Sequence, residues 1–403
     1  MGIVTLCSFI LLPQTTTKKG GFMTKNAYTV SSDLRHSTDP SPTVRWLLEH
    51  NASQSAAFLE PKVRQTRTMH RLEHPTLIGA LKCIDGRLNL SIMTRVPLGI
   101  IQPFRNIGGK FDIGWPYLQT VLSEWFQFAY EKNKDCILFA TYHYSKSDCR
   151  RGCKGFNYDT EAAKKAAEEL RNRIQRIYAD VTAIRIGVIL VGIETDEDAL
   201  ILHGNNGEIL SLANELDTPM PNLVRKIVGL FHCLNEGMLR DLIPLIEGNI
   251  KHIKCVRESN RSTIEFDHCE CCLGVGRGFD WLHVPNKALL IGGYSFNVGE
   301  PIVKAAGIIL DNLNQGRILR EDGVVLMASA LYWENKGLGV EKRLAIERAM
   351  SIAEYSLRKI EADPTVRPLI KHLSVIVGEV DMQTRFFKDR TSKFWEHRNF
   401  TSA

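Results

Sequence analysis

The chain has 403 residues, of which 44% are hydrophobic and 24% charged, and its formal net charge is +6. A chain of this length can bury the cores of two domains. No long run of lysine or arginine concentrates the positive charge, so the sequence does not favour nucleic-acid binding. No segment approaches the roughly 20 apolar residues of a transmembrane helix. The composition therefore argues against nucleic-acid and membrane partners and predicts a globular protein.

The ten cysteines do not form the pattern of a disulfide-linked protein. Several of them cluster instead, as metal-binding or reduced intracellular thiols do. The clusters are Cys149 with Cys153, and Cys269 with Cys271 and Cys272. The apolar run near the N-terminus lacks preceding basic residues and a cleavage site of small residues, so we do not expect a signal peptide. We therefore predict a cytoplasmic protein.

Residues 1–43 are rich in Thr, Ser, Lys and Pro. Because this composition buries little apolar surface, we predict a disordered polar tail over this range. A docking peptide for a partner protein is the alternative.

Helical and strand patterns alternate along the remaining chain. Asp159 is placed to cap one of the helices at its N-terminus. The predicted helices cover residues 44–71, 116–132, 160–178 and 340–362. The predicted strands cover residues 77–83, 137–142, 183–192, 288–294, 324–332 and 374–378. Strands that alternate with helices indicate an α/β fold with parallel pairs of strands.

The second half of the chain repeats this order of elements. Residues 324–332 align with the strand at 137–144, and residues 374–379 parallel 189–194. The strand at 288–294 is then expected to correspond to the first strand of the first half. We therefore predict a duplicated domain.

A candidate metal site occurs in the first half only. The run Cys83-Ile-Asp-Gly-Arg87 follows one predicted strand, His143 follows a second, and Cys153 lies ten residues further on. Two thiolates and one imidazole bind zinc with its fourth position open, as in catalytic zinc sites. The second half has Leu331 at the position of His143 and no equivalent ligands. We therefore predict a catalytic domain over 44–225 and a degenerate one over 226–403.

The chemistry expected at this site is the activation of a water molecule. Zinc lowers the pKa of bound water from 15.7 toward about 7 and so generates a hydroxide for attack on a small electrophile. Asp85 stays ionised beside Arg87 and can accept the hydrogen bond of that hydroxide. Taken singly, the cysteines and the histidine are more typical of buried structural residues. Cys149 is an alternative third ligand, and Cys153 is preferred because it lies in a glycine-containing turn.

Two further segments have weaker signals. The cluster from His268 to Cys272 is either a second metal site or a set of ordinary thiols, and we favour the thiols. The glycine-rich segment 274–278 is predicted to be a loop, because a dinucleotide-binding motif would need a strand before it.

These motifs resemble those of the β-class carbonic anhydrases. The resemblance lies in Cys83-Ile-Asp-Gly-Arg87, in Phe104-Arg-Asn-Ile-Gly-Gly109, and in the strand that leads to His143. The sequence departs from the class in two ways: the usual His-x-x-Cys spacing is stretched, and Gly108-Gly109 replaces a small residue and Asn. The stretched spacing and the ligand-free second copy are similar to the carboxysomal shell subclass.

The resemblance implies a duplicated carbonic-anhydrase-like fold and reversible hydration of CO2 to bicarbonate by zinc-bound hydroxide. It implies that Cys83, His143 and Cys153 bind Zn²⁺ and that Asp85 and Arg87 form the catalytic dyad. A homodimer or higher oligomer, location in a carboxysome, and contact with its shell or with Rubisco are further expectations. Two rival functions stay open: a related hydrolase of carbonyl sulfide or carbon disulfide, and a non-catalytic shell or interaction protein with structural zinc.

Overall fold

The structure is a computed structural model that describes residues 40–259, 261, 267–279, 284, 286–334 and 337–402. The predicted polar tail, residues 1–43, lies outside the described residues except for its last four positions. Two of these, Pro42 and Thr43, already belong to the first helix. Among the helices that the structure describes, none has the length and apolar character needed to cross a membrane.

Helices and strands alternate along the described chain. The helices are α1 (Pro42–Leu59), α2 (Pro61–Glu73), α3 (Leu90–Met93), α4 (Pro116–Glu131), α5 (Thr160–Tyr178), α6 (Met220–Leu230), α7 (Glu236–Glu258), α8 (Gly299–Asn314), α9 (Val340–Ala362) and α10 (Thr391–Ser402). The strands are β1 (Leu77–Lys82), β2 (Ile101–Arg105), β3 (Cys136–Tyr144), β4 (Ile186–Glu194), β5 (Ala199–His203), β6 (Ile209–Ser211), β7 (Cys272–Gly276), β8 (Ala288–Ile291), β9 (Val324–Tyr332), β10 (Leu373–Asp381) and β11 (Phe387–Asp389).

Local sequence signals set the ends of several helices. The Asp159 side chain accepts a hydrogen bond of 2.9 Å from the backbone N–H of Ala162 and caps α5, as predicted. The helical pattern predicted over 44–71 is divided into α1 and α2, because Pro61 begins a new helix. Proline lacks the N–H that would continue the hydrogen bonding of the preceding helix, but it fits the first position of a new one.

The strands form two sheets that are mainly parallel. The first has the order β2-β1-β3-β4-β5-β6, and the second has the order β11-β10-β9-β7-β8. Antiparallel pairing is confined to β4–β5–β6 in the first sheet and to β10–β11 in the second. The central strands β3 and β9 are almost entirely buried, as expected for parallel strands covered by helices on both faces. The predicted α/β fold with a duplicated unit is confirmed.

One predicted correspondence between the two copies is wrong. In each sheet the central strand, β3 or β9, has one shorter parallel strand beside it and another at the edge. These strands are β1 and β2 in the first sheet and β7 and β8 in the second. The counterpart of β1 is therefore β7, and the strand predicted at 288–294 corresponds to β2. Residues 274–276 belong to β7 rather than to a loop, because pairing with both neighbours compensates for the low strand propensity of glycine.

Each half of the chain contributes a helix to the surface of the other. The Asn51 side chain on α1 donates to the Arg385 carbonyl (3.1 Å) and accepts from the Phe387 N–H (2.9 Å), beside the second sheet. The Asn249 side chain on α7 accepts from the Leu200 N–H (3.0 Å) and donates to the Met93 carbonyl (3.0 Å), in the first half. The domain limits at 44, 225 and 403 stay a prediction.

The two sheets meet where the loop after β1 crosses the edge strand β8. The Gly86 N–H donates to the Ala288 carbonyl (3.0 Å), and the Leu290 N–H donates to the Ile84 carbonyl (2.7 Å). A Cβ atom on Gly86 would lie 2.5 Å from the Ala288 carbonyl oxygen and 3.0 Å from that of Val284. Both contacts are with backbone, which cannot move aside as a flexible side chain can. Glycine is therefore required where the two halves touch.

We expect Gly86→Ala to lower the midpoint of thermal unfolding, because the added methyl group must push the loop away from β8. Overpacking of this kind costs about 1–3 kcal/mol. Gly114→Ala is the matched control, since a Cβ atom there meets nothing within 4 Å. Equal unfolding midpoints for the two variants, measured by circular dichroism, would contradict the close packing of this loop.

Candidate metal centre

Three buried side chains meet at the carboxyl edge of the first sheet. Cys83 directly follows β1, His143 is the eighth of the nine residues of β3, and Cys153 lies in the turn after β3. Because β1 and β3 are parallel neighbours, their ends bring the first two residues together. The Sγ atoms of Cys83 and Cys153 are 3.8 Å apart. The candidate donor atoms of all three residues lie within 4.8 Å of one another.

The surroundings of His143 show that these residues fit a metal ion. Both of its ring nitrogens are buried, and neither has a hydrogen-bond partner among the residues that the structure describes. A buried polar atom without a partner costs about 1–3 kcal/mol. A metal bound to one ring nitrogen would remove part of that cost. Two cysteine sulfurs and one histidine nitrogen are also a donor set that zinc takes in catalytic sites.

The two thiols of this group differ in their acidity. A hydrogen bond with Cys153 lowers the pKa of Cys83 well below its ordinary value, burial opposes this shift, and His143 lowers the pKa further. The same hydrogen bond and burial raise the pKa of Cys153 well above its ordinary value. The hydrogen bond between the two sulfurs therefore favours one negative charge on the pair, and a cation would stabilise such a buried charge.

The turn after β3 brings Cys153, and not Cys149, to the other two residues. The Cys153 carbonyl accepts hydrogen bonds from the N–H groups of Phe156 (3.0 Å) and Tyr158 (2.9 Å), which fold the chain back on itself. Cys149 is exposed and lies outside the three-residue group. The structure thus brings together Cys83, His143 and Cys153, the three residues preferred from the sequence.

Gly108 and Gly109, where the sequence departs from the β-class pattern, support this turn. Both have positive φ angles, +63° and +65°, which glycine adopts without strain. A Cβ atom on Gly155 would lie 2.7 Å from the Gly108 nitrogen. The longer turn that carries Cys153 therefore packs directly on the backbone of this glycine pair.

Asp85 and Arg87 form a buried ion pair beside the three candidate ligands. The Arg87 Nη2 atom lies 2.6 Å from Asp85 Oδ2, and its Nε atom lies 3.0 Å from Oδ1. Burial acts to raise the pKa of Asp85, but the Arg87 guanidinium outweighs it and holds this pKa far below its ordinary value. Asp85 Oδ2 is 4.0 Å from His143 Nδ1. An ionised carboxylate is thus held next to the candidate metal site.

Arg105, at the end of β2, holds the backbone of the loop that carries these residues. Its Nη1 atom donates to the carbonyls of Cys83 (3.0 Å) and Asp85 (2.6 Å), and its Nη2 atom donates to the Leu88 carbonyl (3.0 Å). The buried guanidinium therefore holds the backbone of this loop against the end of β2.

Two residues from the second half complete the site, and the sequence did not predict them. His268 Nε2 lies 3.3 Å from Arg87 Nη2, and His268 Nδ1 lies 2.8 Å from Glu270 Oε1. Asn312 Nδ2 donates to the other oxygen of Glu270 at 3.1 Å. A buried row of polar groups therefore runs from Asp85 through Arg87 to the second half of the chain.

A cavity of about 240 Å³ lies on the outer side of His268. Charged residues line most of its wall, among them Arg151, Asp267 and Arg317. His268 itself is 9% exposed. The polar row therefore ends at a cavity with a charged lining and not in the hydrophobic core.

Comparison with known proteins finds a family model and a relative that are similar to this chain. Residues 76–217 match the family model of the carboxysome shell carbonic anhydrase catalytic domain. A carboxysome shell carbonic anhydrase from Prochlorococcus marinus (strain MIT 9313) is 22% identical over 278 residues, which cover 60% of this chain and 53% of the relative. The chain thus spans about half the length of the curated relative it matches. The resemblance to carboxysome shell carbonic anhydrases is confirmed.

The carbonic-anhydrase-like segment contains the three candidate ligands and the Asp85–Arg87 pair, whereas His268 and Glu270 lie beyond its last matched residue, 217. In the sequence, the run from His268 to Cys272 is the only signal near these residues, and its pattern indicates clustered thiols. In the described chain, the donor atoms of Asp85, His268 and Glu270 form a second cluster beside the Cys83–His143–Cys153 group. Cys269, Cys271 and Cys272 belong to neither. No local pattern identifies His268 and Glu270 as site residues. The contact that places them at the site joins His268 to Arg87, which is 181 positions away in the sequence.

We expect Cys153→Ser to lose most of the bound zinc and Cys149→Ser to keep it. Serine replaces a soft thiolate donor with a hydroxyl that zinc binds poorly, whereas Cys149 is outside the group. Zinc content per chain, measured by inductively coupled plasma mass spectrometry after dialysis, tests this. Loss of zinc in the Cys149 variant with retention in the Cys153 variant would assign the third ligand to Cys149.

Proposed function

We propose that this protein is a zinc-dependent carbonic anhydrase that interconverts CO2 and bicarbonate. One observation carries the proposal: a buried Cys–His–Cys group stands beside an ionised Asp–Arg pair, within the segment that matches a carbonic anhydrase catalytic domain. Cys83, His143 and Cys153 would hold the zinc ion. Zinc bound by such a set acts as a Lewis acid that makes water nucleophilic at neutral pH.

Asp85 is the residue that would orient the attacking water. Its carboxylate can only accept hydrogen bonds when ionised, and Arg87 keeps it ionised. Both of its oxygens accept hydrogen bonds from Arg87, and Asp85 is not a member of the Cys83–His143–Cys153 group. These contacts favour Asp85 as a hydrogen-bond acceptor at the site rather than as a fourth ligand.

His268 and Glu270 would position Arg87. Arg87 Nη2 donates to Asp85 Oδ2 (2.6 Å) and to the Arg151 carbonyl (2.7 Å), and His268 Nε2 lies 3.3 Å from it. A guanidinium has no acceptor, so His268 Nε2 is the accepting atom in this longer, shared contact. The hydrogen on the ring is then on Nδ1 and is donated to Glu270 Oε1. Glu270 therefore selects the tautomer of His268, and His268 orients the guanidinium that holds Asp85. The cavity beyond His268 gives the outer end of this row contact with solvent.

The remaining assignments rest on the resemblance. The matched relative is named as a carboxysome shell protein, and by that likeness we propose a carboxysome location with contact to the shell or to Rubisco. A homodimer or higher oligomer is likewise proposed. The second copy, which has Leu331 in place of His143, would serve as a scaffold that supplies His268, Glu270 and β8.

We expect Asp85→Asn to retain zinc and to lower the rate of CO2 hydration by about 10²–10⁴-fold, the usual contribution of a positioned acid–base group. Asparagine has the same shape but is a weaker, neutral acceptor. Stopped-flow CO2 hydration with zinc quantification tests this, with the exposed Asp180→Asn as control. Parallel assays with carbonyl sulfide and carbon disulfide test the rival hydrolase. Zinc-loaded wild-type protein without CO2 turnover would overturn the proposed function.

We expect His268→Ala to retain zinc and to lower turnover by about 10–100-fold, as is usual for residues that orient a metal site from outside. His268→Gln should recover part of the loss, because its amide oxygen can accept from Arg87. The pH profile of kcat, compared with that of the exposed His232→Ala, separates this role from general destabilisation. An unchanged kcat and pH profile in His268→Ala would show that His268 has no part in the reaction.

A further inference from the structure

A large cavity occupies the place in the second copy that corresponds to the metal centre of the first. Arg277 directly follows β7, as Cys83 follows β1, and Leu331 is the eighth residue of β9, as His143 is of β3. The pairing of β7 with β9 keeps the same register, with Val275 opposite Ala328. Arg277 and Leu331 both line a cavity of about 500 Å³. The position of a metal ligand is thus taken by a guanidinium.

We propose that this cavity is a binding site for a small organic anion, in which Arg277 pairs with a phosphate or carboxylate group and the aromatic wall packs on a planar or apolar body. The cavity volume is within the roughly 300–1,000 Å³ of small-molecule sites. The inference does not depend on carbonic anhydrase activity, because none of the candidate metal ligands lines the cavity.

The charge of the lining favours an anion. The lining residues include two arginines, Arg277 and Arg348, and no acidic side chain. Burial acts to lower the pKa of Arg277, whereas Tyr294, Tyr117 and Glu124 raise it, and Glu124 does not line the cavity. A partly buried guanidinium that faces a cavity without a carboxylate is stabilised by an incoming anion, and its fork-shaped donor set suits phosphate and carboxylate.

The aromatic side chains of the wall favour an anion that carries an apolar body. The Arg348 guanidinium lies 5.6 Å from the centre of the Tyr117 ring, and the rings of Trp115 and Phe296 are 5.3 Å apart. Phe296 is 76% exposed although it lines the cavity. These rings therefore form an apolar wall on which a planar or apolar group can pack.

Both halves of the chain build this site. Trp115 and Tyr117 come from the start of α4 in the first half, whereas Arg277 and Arg348 come from the second. The Gly292 N–H, at the base of the cavity, donates to the Arg105 carbonyl at 3.0 Å. The walls are therefore held by the same contact between the sheets that supports the metal centre.

Isothermal titration calorimetry on the full zinc-loaded chain tests the proposal with phenyl phosphate, inorganic phosphate and benzyl alcohol. We expect phenyl phosphate to bind at least about tenfold more tightly than inorganic phosphate or benzyl alcohol, because charge pairing and apolar contact both contribute. Benzyl alcohol binding as tightly as phenyl phosphate would show that charge has no role. An absence of phenyl phosphate binding would overturn the proposal outright.

Variants locate the site. Arg277→Gln is expected to weaken phenyl phosphate binding at least about tenfold. The exposed Arg348→Gln, which carries little risk to folding, is expected to weaken it about threefold or more. Arg343→Gln, on the same helix but outside the cavity, should leave it unchanged. Cys83→Ala should also retain binding, and loss there would place the anion at the metal centre instead. Unchanged affinity in both cavity variants would overturn the assignment.

Discussion

Two backbone hydrogen bonds between the loop after β1 and the edge strand β8 are the contacts on which the candidate site depends. They join Gly86 to Ala288 and Leu290 to Ile84, at distances of 3.0 and 2.7 Å. Each such bond contributes only about 0.5–1.5 kcal/mol to stability, but they fix the loop that carries a candidate metal ligand and the ion pair. Arg105 holds the same loop from the other side. The loop therefore has one conformation only when both halves of the chain are present.

This constraint gives the second copy a role even though its strand ends carry no counterpart of the Cys83–His143–Cys153 group, with Arg277 and Leu331 at the equivalent positions. Within the first half, the Arg87 guanidinium contacts Asp85 and the Arg151 carbonyl. The second half adds His268, which Glu270 and Asn312 orient. Buried charges are stable only when their hydrogen bonds are satisfied. The duplication thus supplies, within one chain, the neighbour that the ion pair requires.

The two copies share a backbone and differ in the side chains that they place at the carboxyl edge of the sheet. The same two positions at the carboxyl edge hold a thiol and an imidazole in the first sheet, and a guanidinium and an aliphatic side chain in the second. The first pair suits a cation, and the second pair, with its cavity of about 500 Å³, suits an anion. A parallel sheet places residues that follow neighbouring strands close together whatever their chemistry, so a duplicated sheet can bind ligands of opposite charge at equivalent places.

The sequence by itself determined the α/β class, the ends of α5 and α9, and the residues of the candidate metal group. These depend on local signals: capping at Asp159, apolar runs in the strands, and the spacing of Cys83, Asp85 and Arg87. Only the tertiary structure decided that β7 corresponds to β1 and that His268, Glu270 and Arg277 line the sites. The glycine-rich β7 is a strand only because of its neighbours, and Arg87 and His268 are 181 residues apart. Such contacts depend on how the two sheets pack together, which no local pattern encodes.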